Sequence, residues 1–248
     1  AVAFDDQERV SAMINDEDHL RIQVFGGGLC VREAFERADE FDDVVSERMP
    51  FAFSPKYGYL TSSPTNTGTG LRASVMLHLP GLVMNHELER LADLARGFGV
   101  RLQGVYGEAY HGSGDIYQVS NVATLGPTED EIVDTVTEVA RRVVQMERNA
   151  RVSLYDSHHG QFIHRIDRAM DLLGEAASIS SQEALYFLSQ VRMGLEMEVI
   201  NKPYMEVVND LFLLTLPAHL QTMEGKDLQS GARNELRAAY VRSRLSEN

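Results

Sequence analysis

Residues 15–25 read NDEDHLRIQVF, a carboxylate-rich turn that runs directly into an alternating segment. From residue 20 onward, apolar side chains alternate with Arg21, Gln23 and Phe25, which is the period of a half-buried β-strand. The same even spacing turns Glu17 towards the side of Arg21 and Gln23. The stretch therefore predicts a strand whose polar face presents a guanidinium group beside a carboxylate.

Strand and helix patterns alternate through the N-terminal part of the chain. Glycines at 26–28 interrupt the first strand, and apolar residues at helical spacing predict a helix from Cys30 to Arg48, with Cys30 in its apolar pattern. Strict alternation from Leu71 to Leu79 predicts a strand with Arg72 on its polar side. Further patterns predict a helix at 87–98, strands at 100–103 and 116–119, a glycine-rich loop between these strands, and a helix from the Thr128–Glu131 capping box to near Arg148.

Beyond about residue 150 the strand patterns stop. The remainder predicts helices at 156–173, 181–195, 203–214 and 231–245. An α+β segment followed by an all-α segment indicates two domains, at residues 1–150 and 151–248.

Composition excludes several classes of partner. The 248 residues carry a formal net charge of -14, so the long-range field repels nucleic acid and anionic membrane. Any phosphate site must then be a local cluster of arginines. No apolar run is long enough to span a bilayer, and the single cysteine cannot form an internal disulfide. We therefore expect a cytoplasmic protein. We expect no metal site, since His158 and His159 have no third ligand at useful spacing.

The polar residues suit phosphoryl transfer from ATP to a nitrogen. That reaction needs cations around the phosphates and a carboxylate to hold and deprotonate a guanidinium. Glu17 offers the carboxylate, and Arg21 and Arg72 offer a bidentate clamp for phosphate oxygens.

Five motifs carry a resemblance to a known family. NDEDHLRI at 15–22 and GYLTSSPTNTGTGLRASV at 58–75 resemble NEEDHLRI and GYLTxCPTNxGTGLRASV of the guanidino kinases (ATP:guanidino phosphotransferases). YGE at 106–108 followed by IYQVSN at 116–121 is similar to the flexible-loop segment of that family. LPAHLQ and RNELRA, at 216–221 and 233–238, resemble QPAxLQ and RDxxRA of its bacterial protein-arginine kinase branch, the McsB type. The resemblance covers nearly the whole chain.

The resemblance implies a fold and a set of functional residues. The fold is an antiparallel-sheet, glutamine synthetase-like catalytic domain, here without its N-terminal part, followed by an all-α, phosphoarginine-binding domain. Glu17 and Glu108 are expected to grip the substrate guanidinium, while Arg21 and Arg72 bind the phosphates of ATP together with Mg²⁺. The phosphoarginine pocket is expected to contain Arg233, Asn234 and Arg237.

Three positions depart from the family pattern. Ser63 replaces a reactive cysteine, which keeps a hydrogen bond but removes a thiolate. Gln103 replaces a phosphate-binding arginine, and Arg101 lies on the same side of the strand two residues earlier as its candidate substitute. Asn234 replaces the aspartate of RDxxRA. The chain also opens without methionine on what reads as the middle of a strand, so we expect a truncated catalytic site.

Three functions follow as hypotheses. The first is a protein-arginine kinase that acts on exposed arginines of protein substrates and marks them for a Clp-type protease, with an activator protein, a Clp ATPase and a homo-oligomeric state as expected partners. The second is a small-molecule guanidino (phosphagen) kinase, which the appended helices disfavour. The third is a catalytically weak pseudokinase or phosphoarginine-binding adaptor, motivated by Ser63, Gln103 and the missing segment.

Overall fold

The structure, a computed structural model, describes residues 1–105 and 113–246. It divides the chain into two compact units. The first unit comprises residues 1–77, 89–103 and 118–145. The second comprises residues 78–88, 104–117 and 146–248.

The first unit begins with an antiparallel sheet. Its strands are β1 (Val2–Phe4), β2 (Val10–Ile14) and β3 (Leu20–Val24). Met13 pairs with Arg21, and a tight turn closes β2 on β3 with the Asn15 N–H donating to the His19 carbonyl oxygen at 3.0 Å. Asn15 adopts φ 55° there, which asparagine tolerates better than most residues. The predicted strand at 20–25 is confirmed to within one residue.

Helix α1 (Val31–Ser46) follows the glycine bend. Cys30 is its N-cap and is partly exposed, so the prediction that Cys30 belongs to the helical apolar pattern is wrong. The sulfur of Cys30 lies against the glycine bend, since a Cβ at Gly26 would be 2.3 Å from it. Arg32 anchors the helix within the unit by ion pairs to Asp130 and to Asp134, the latter at 2.8 Å.

A second sheet has the strand order β6-β8-β7. The elements of this region are β4 (Phe53–Ser54), β5 (Gly58–Tyr59), β6 (Ser74–His78), α2 (Pro80–Met84), α3 (Leu88–Gly97), β7 (Val100–Gly104) and β8 (Ile116–Asn121). The strand predicted from Leu71 to Leu79 begins only at Ser74. The Asn121 amide takes the place of a strand partner there, since it accepts from the Ala73 N–H at 2.9 Å and donates to the Leu71 carbonyl oxygen at 3.0 Å.

Helix α4 (Glu129–Glu175) starts at the predicted capping box, in which the Glu131 N–H donates to the Thr128 hydroxyl at 3.2 Å. The predicted end near Arg148 is wrong. No glycine or proline interrupts residues 149–159, and the buried positions continue through Ala150 and Phe162. The helix is irregular at His158, where φ is -136°.

The second unit is otherwise built from shorter helices. They are α5 (Ser181–Glu196), α6 (Met205–Leu214), α7 (Pro217–Glu224) and α8 (Ser230–Ser246). The predicted capping box of Ser180 and Glu183 is present at the start of α5, while α7, which begins with a proline in its first turn, was missed. Leu173, Leu188, Leu211 and Val241 meet in its main apolar core. None of the described helices is both long and apolar enough to cross a membrane.

A polar network is buried inside the second unit. Ser189 donates to Asp115 at 2.5 Å and therefore accepts from Nε2 of His78 at 2.9 Å. The side chain of His78 is only 4% exposed. Burial lowers its pKa to about 4, the charges of Arg192 and Arg151 act in the same direction, and Glu196 opposes them. The imidazole is consequently neutral at neutral pH.

This burial makes stability depend on pH. The unfolded chain protonates His78 near pH 6.5, whereas the folded protein does so only near pH 4. The free energy of unfolding should therefore fall between pH 6.5 and 4, by up to roughly 3 kcal/mol from this group. We predict that His78→Gln removes that part of the slope in urea unfolding measured across this range.

Burial raises the pKa of Asp115, which gives a contribution of opposite sign. Asp115 is present in both proteins, so the difference between wild type and His78→Gln reports the histidine together with its effect on Glu196, whose pKa burial raises but the contacts with His78 and Arg151 lower. Parallel stability curves for the two proteins would contradict the assignment.

Candidate active site

The carboxylate of Asp18 joins the two longest sequence motifs. Its Oδ1 accepts from the N–H of Ser62 at 2.6 Å and of Ser63 at 3.2 Å, and its Oδ2 accepts from the Asn66 amide at 2.8 Å. These contacts span 44 to 48 residues of sequence. The acidic turn that carries Glu17 is thereby held against the segment that carries Ser63.

Hydroxyl groups keep the 61–67 segment in its conformation. Thr61 donates to the carbonyl oxygen of Ser63 at 2.7 Å and its hydroxyl lies 3.1 Å from that of Thr67. The Ser63 hydroxyl lies 2.9 Å from that of Thr65. Ser63 is partly exposed, so its hydroxyl both shapes the loop and reaches the surface.

A second anchor fixes the other end of the same motif. The Thr124 hydroxyl donates to the carbonyl oxygens of Thr65 at 2.9 Å and Thr67 at 2.8 Å. Gly68 passes so close that a Cβ there would lie 2.2 Å from the Thr124 carbonyl oxygen, and its φ of 115° also requires glycine. Arg72 follows this anchored loop, ahead of β6 rather than within it.

The candidate phosphate-binding arginines are exposed in the first unit. Among the described residues, the acidic partner of Arg21 is Asp16, at 4.0 Å. Arg72 and Arg101 form no ion pair with a described residue. On β7, Arg101 is exposed and Gln103 partly exposed between buried neighbours, so they share a face of the strand. All three guanidinium groups are available to an anion.

One of the two candidate carboxylates, that of Glu17, lies among the described residues. Glu17 is exposed beside Asp18 in the turn and forms no hydrogen bond to a described residue. Glu108 lies outside the described residues. Within 1–105 and 113–246, no group of three or more His, Cys, Asp or Glu side chains could hold a metal ion.

Arg233, Asn234 and Arg237 come together at the start of α8. Arg237 is 1% exposed and donates to the carbonyl oxygens of Thr215 at 2.7 Å and Ile179 at 2.9 Å, and to Oδ1 of Asn234 at 2.8 Å. Burial, and then the charge of Arg233, lowers its pKa. These acceptors are neutral oxygens, so a cationic pair is held with no acidic partner among the described residues.

Sequence reasoning missed Asp18, Asn66, Asn121 and Thr124. Asp18 was quoted only as part of an acidic turn, although its carboxylate, not that of Glu17, makes the contacts between motifs. Hydrogen bonds pull the pKa of Asp18 below its usual range against the opposing effect of burial. One feature of the sequence points to these contacts: the polar run SSPTN at 62–66, whose backbone N–H groups and asparagine amide can donate to a carboxylate.

Comparison with known families decides the identity. Residues 1–150 match the family ATP:guanido phosphotransferase, C-terminal catalytic domain, and residues 160–248 match the protein-arginine kinase McsB C-terminal domain. The chain belongs to the ATP:guanido phosphotransferase family. The predicted family, enzyme class and α+β guanidino kinase fold are confirmed.

Protein-arginine kinases similar to this phosphotransferase align along 99% of its length, and a solved guanidino kinase structure aligns along 67% of it. A protein-arginine kinase of Halothermothrix orenii is 42% identical over 245 residues, covering 99% of this chain and 70% of the relative. One of Symbiobacterium thermophilum is 43% identical, with the same two coverages. The solved taurocyamine kinase of Schistosoma mansoni with bound transition state analog components is 27% identical with a TM-score of 0.52, over 67% of this chain and 24% of that one.

We predict that Asp18→Asn uncouples the two motifs of the phosphotransferase site. One carboxylate oxygen becomes an NH₂ group that faces donors, so the free energy of unfolding should fall by about 1–3 kcal/mol. Phosphotransfer should fall at least tenfold, which corresponds to about 1.4 kcal/mol of activation free energy, because the reacting groups lose their alignment.

The control is Asp6→Asn, an exposed carboxylate outside both motifs. Denaturant unfolding and the phosphotransfer rate are measured on both variants. Equal behaviour of the two variants would show that the Asp18 contacts do not position the site.

Proposed function

We propose that this chain provides the catalytic and regulatory parts of a protein-arginine kinase, which transfers the γ-phosphoryl group of Mg-ATP to arginine side chains of proteins. The supporting observation is the Asp18 contact set, which assembles the two guanidino kinase motifs into one site. The match to the McsB C-terminal domain favours a protein substrate over free arginine or creatine.

The chemistry assigns a role to each exposed group. A guanidinium nitrogen of the substrate attacks the γ-phosphorus, the N–P bond forms, and the bond to the leaving oxygen of ADP breaks. The attacking nitrogen loses a proton, which a carboxylate such as that of Glu17 accepts. The contacts of its neighbour Asp18 hold the turn that carries Glu17, which limits where its carboxylate can meet the guanidinium.

Arg21, Arg72 and Arg101 fit a polyphosphate. Each is exposed, and no close ion pair to a described residue competes for its guanidinium. Arginine binds phosphate oxygens in a bidentate manner, which fixes direction as well as charge. On β7, Arg101 would supply the positive charge that the family pattern has at position 103, where this chain has Gln103. Mg²⁺, when bound with ATP, would neutralise part of the phosphate charge.

We predict that Glu17→Gln lowers formation of acid-labile phosphoarginine by about 10²-fold or more, since the base is lost while shape is kept. The gene product is incubated with Mg-ATP and an arginine-rich protein, and phosphoarginine is detected by mass spectrometry under non-acidic conditions. Glu36→Gln, an exposed carboxylate on α1, is the matched control.

Full activity in Glu17→Gln would remove that residue from the mechanism. Absence of phosphoarginine from the wild-type reaction, combined with retained phosphoarginine binding, would instead favour the adaptor hypothesis. Activity confined to free arginine or creatine would favour a small-molecule guanidino kinase.

Phosphoarginine recognition is a second candidate function, based on the cationic pair of α8. Arg233 is partly exposed and shares its Nη1 between Gln221 at 3.2 Å and the Leu228 carbonyl oxygen at 3.1 Å. The rest of its guanidinium can meet a phosphoryl group. Asn234 is neutral and already accepts from Arg237, so it adds hydrogen bonding rather than charge.

We predict that Arg233→Gln lowers the affinity for a phosphoarginine peptide at least tenfold with little change in melting temperature. Arg237→Gln should instead destabilise the unit, because it leaves buried carbonyl oxygens unpaired. Calorimetric titration and thermal unfolding separate the two effects. Unchanged affinity in Arg233→Gln would exclude this pocket.

A bacterial cytoplasmic location, a link to Clp-type proteolysis, an activator protein and a homo-oligomeric state complete the proposal as expectations. They rest on the resemblance to protein-arginine kinases. Co-purification of the tagged gene product from its host tests the partners directly.

A further inference from the structure

Three aromatic side chains cluster on the β4–β5 hairpin of the first unit. Phe53 is paired with Tyr59 across the two strands, and their ring centroids lie 5.5 Å apart in an edge-to-face arrangement. Phe51 contacts the same tyrosine, with ring centroids 5.9 Å apart. Phe51 and Tyr59 are partly buried, whereas Phe53 is 59% exposed. We call these three residues the aromatic patch, and the ring of Phe53 is its accessible part.

Negative charge surrounds the aromatic patch. The hydroxyl of Tyr59 donates to the carboxylate of Asp42, on α1, at 3.0 Å. Burial, this contact with Asp42, and the charges of Glu129 and Asp39 raise the pKa of Tyr59 to about 12. Burial also raises the pKa of Asp42, and the charges of Asp39 and Asp43 act in the same direction. None of these four carboxylates forms an ion pair with a described residue, so no neighbouring cation compensates their charge.

Backbone hydrogen bonds connect the hairpin to the candidate active site. The Tyr59 N–H donates to the Gly68 carbonyl oxygen at 2.8 Å, and the Gly68 N–H donates to the Tyr59 carbonyl oxygen at 3.2 Å. Between these two residues lies the loop that donates to Asp18. Ser63 follows Tyr59 by four residues, so their Cα atoms are at most about 14 Å apart. An extended peptide spans that distance with roughly four residues.

A lysine or arginine side chain fits both properties of the patch. Its cationic head is attracted by carboxylates and by the face of an aromatic ring, while its alkyl stem covers apolar surface. An acidic side chain would be repelled, and a purely apolar one would desolvate the carboxylates without replacing their hydrogen bonds. A second copy of this chain fits poorly, because its own net charge is -14.

We propose that the aromatic patch is a docking surface for a basic residue of the protein substrate, about four positions from the arginine that receives the phosphoryl group. The inference rests on the proposed kinase function and adds a substrate class to it, namely arginines within basic segments. Phe53 provides the ring surface, and Asp39 and its neighbours provide the charge. These residues determine specificity without contacting the reacting atoms.

The test compares two peptides that each contain a single arginine. One peptide carries lysine four residues before and four residues after the arginine, and the other carries glutamine at both positions. Lysine has no guanidinium group, so each peptide offers one acceptor. We measure kcat/KM for phosphoarginine formation with Mg-ATP at low ionic strength, and expect about a fivefold preference for the lysine peptide. Added salt should reduce this preference by screening.

Two variants locate the preference on the patch. Phe53→Ala should remove most of it, and Asp39→Asn should lower it at least twofold, while both keep the wild-type rate on the glutamine peptide. Phe98→Ala, at an aromatic residue 52% exposed in the same unit, and Asp6→Asn, at an exposed carboxylate, are the matched controls and should keep the preference. Melting temperatures confirm that all four variants are folded.

The outcomes separate this docking surface from the kinase function on which it rests. Equal rates of the wild type on both peptides would overturn the docking surface and leave the kinase function standing, whereas no phosphoarginine on either peptide would refute both. A preference that survives Phe53→Ala, or that Phe98→Ala removes equally, would also overturn the assignment. If Phe53→Ala changed the oligomeric state and kept the preference, the patch would be a contact between copies instead.

Discussion

The carboxylate of Asp18 is the interaction on which the candidate active site depends. It accepts from two backbone N–H groups and one side-chain amide that lie 44 to 48 residues further along the chain. Hydrogen bonds to a charged acceptor are stronger than neutral ones, so a single side chain can fix a turn against a loop that has little secondary structure of its own. Glu17 is the neighbour of Asp18 in the turn, and Ser63 is one of the residues that donate to Asp18 from the loop. The relative position of Glu17 and Ser63 therefore follows from these hydrogen bonds rather than from a sheet.

Other side chains of the first unit likewise form hydrogen bonds to backbone groups that would otherwise pair with a neighbouring strand. Asn121 pairs with the backbone of Leu71 and Ala73, and Thr124 holds the carbonyl oxygens of Thr65 and Thr67. A loop fixed in this way keeps its outer surface open, because the anchoring groups approach from the protein side. Phosphoryl transfer benefits from such an arrangement, since most of its catalysis is positioning and electrostatic stabilisation.

Local pattern predicted the helices and central strands because apolar periodicity reflects burial. It failed where a partner distant in sequence decides the outcome. The strand from Leu71 was shortened by Asn121, which is 50 residues away, and the end of α4 was placed too early because buried residues continue past Ala150 without a breaking residue. For the site, spacing predicted Glu17 and Arg21 on the same side of the chain, which remains a prediction, and it could not identify Asp18, whose partners belong to another segment. Motif resemblance supplied what periodicity lacks, namely a prediction of which exposed residues take part in the chemistry.

Arginine pairing separates structural from functional cations in this acidic chain. With 37 Asp and Glu against 23 Lys and Arg, an arginine meets an acidic partner easily, and Arg32 and Arg151 do so. Arg21 and Arg72 remain exposed where the surrounding field opposes phosphate. Such a field is screened over about 8–10 Å at physiological salt, whereas direct bidentate contacts are screened much less. An acidic protein can therefore bind a polyphosphate only through guanidinium groups that no carboxylate has already neutralised, and Arg72, which is exposed and forms no ion pair with a described residue, is a candidate of that kind.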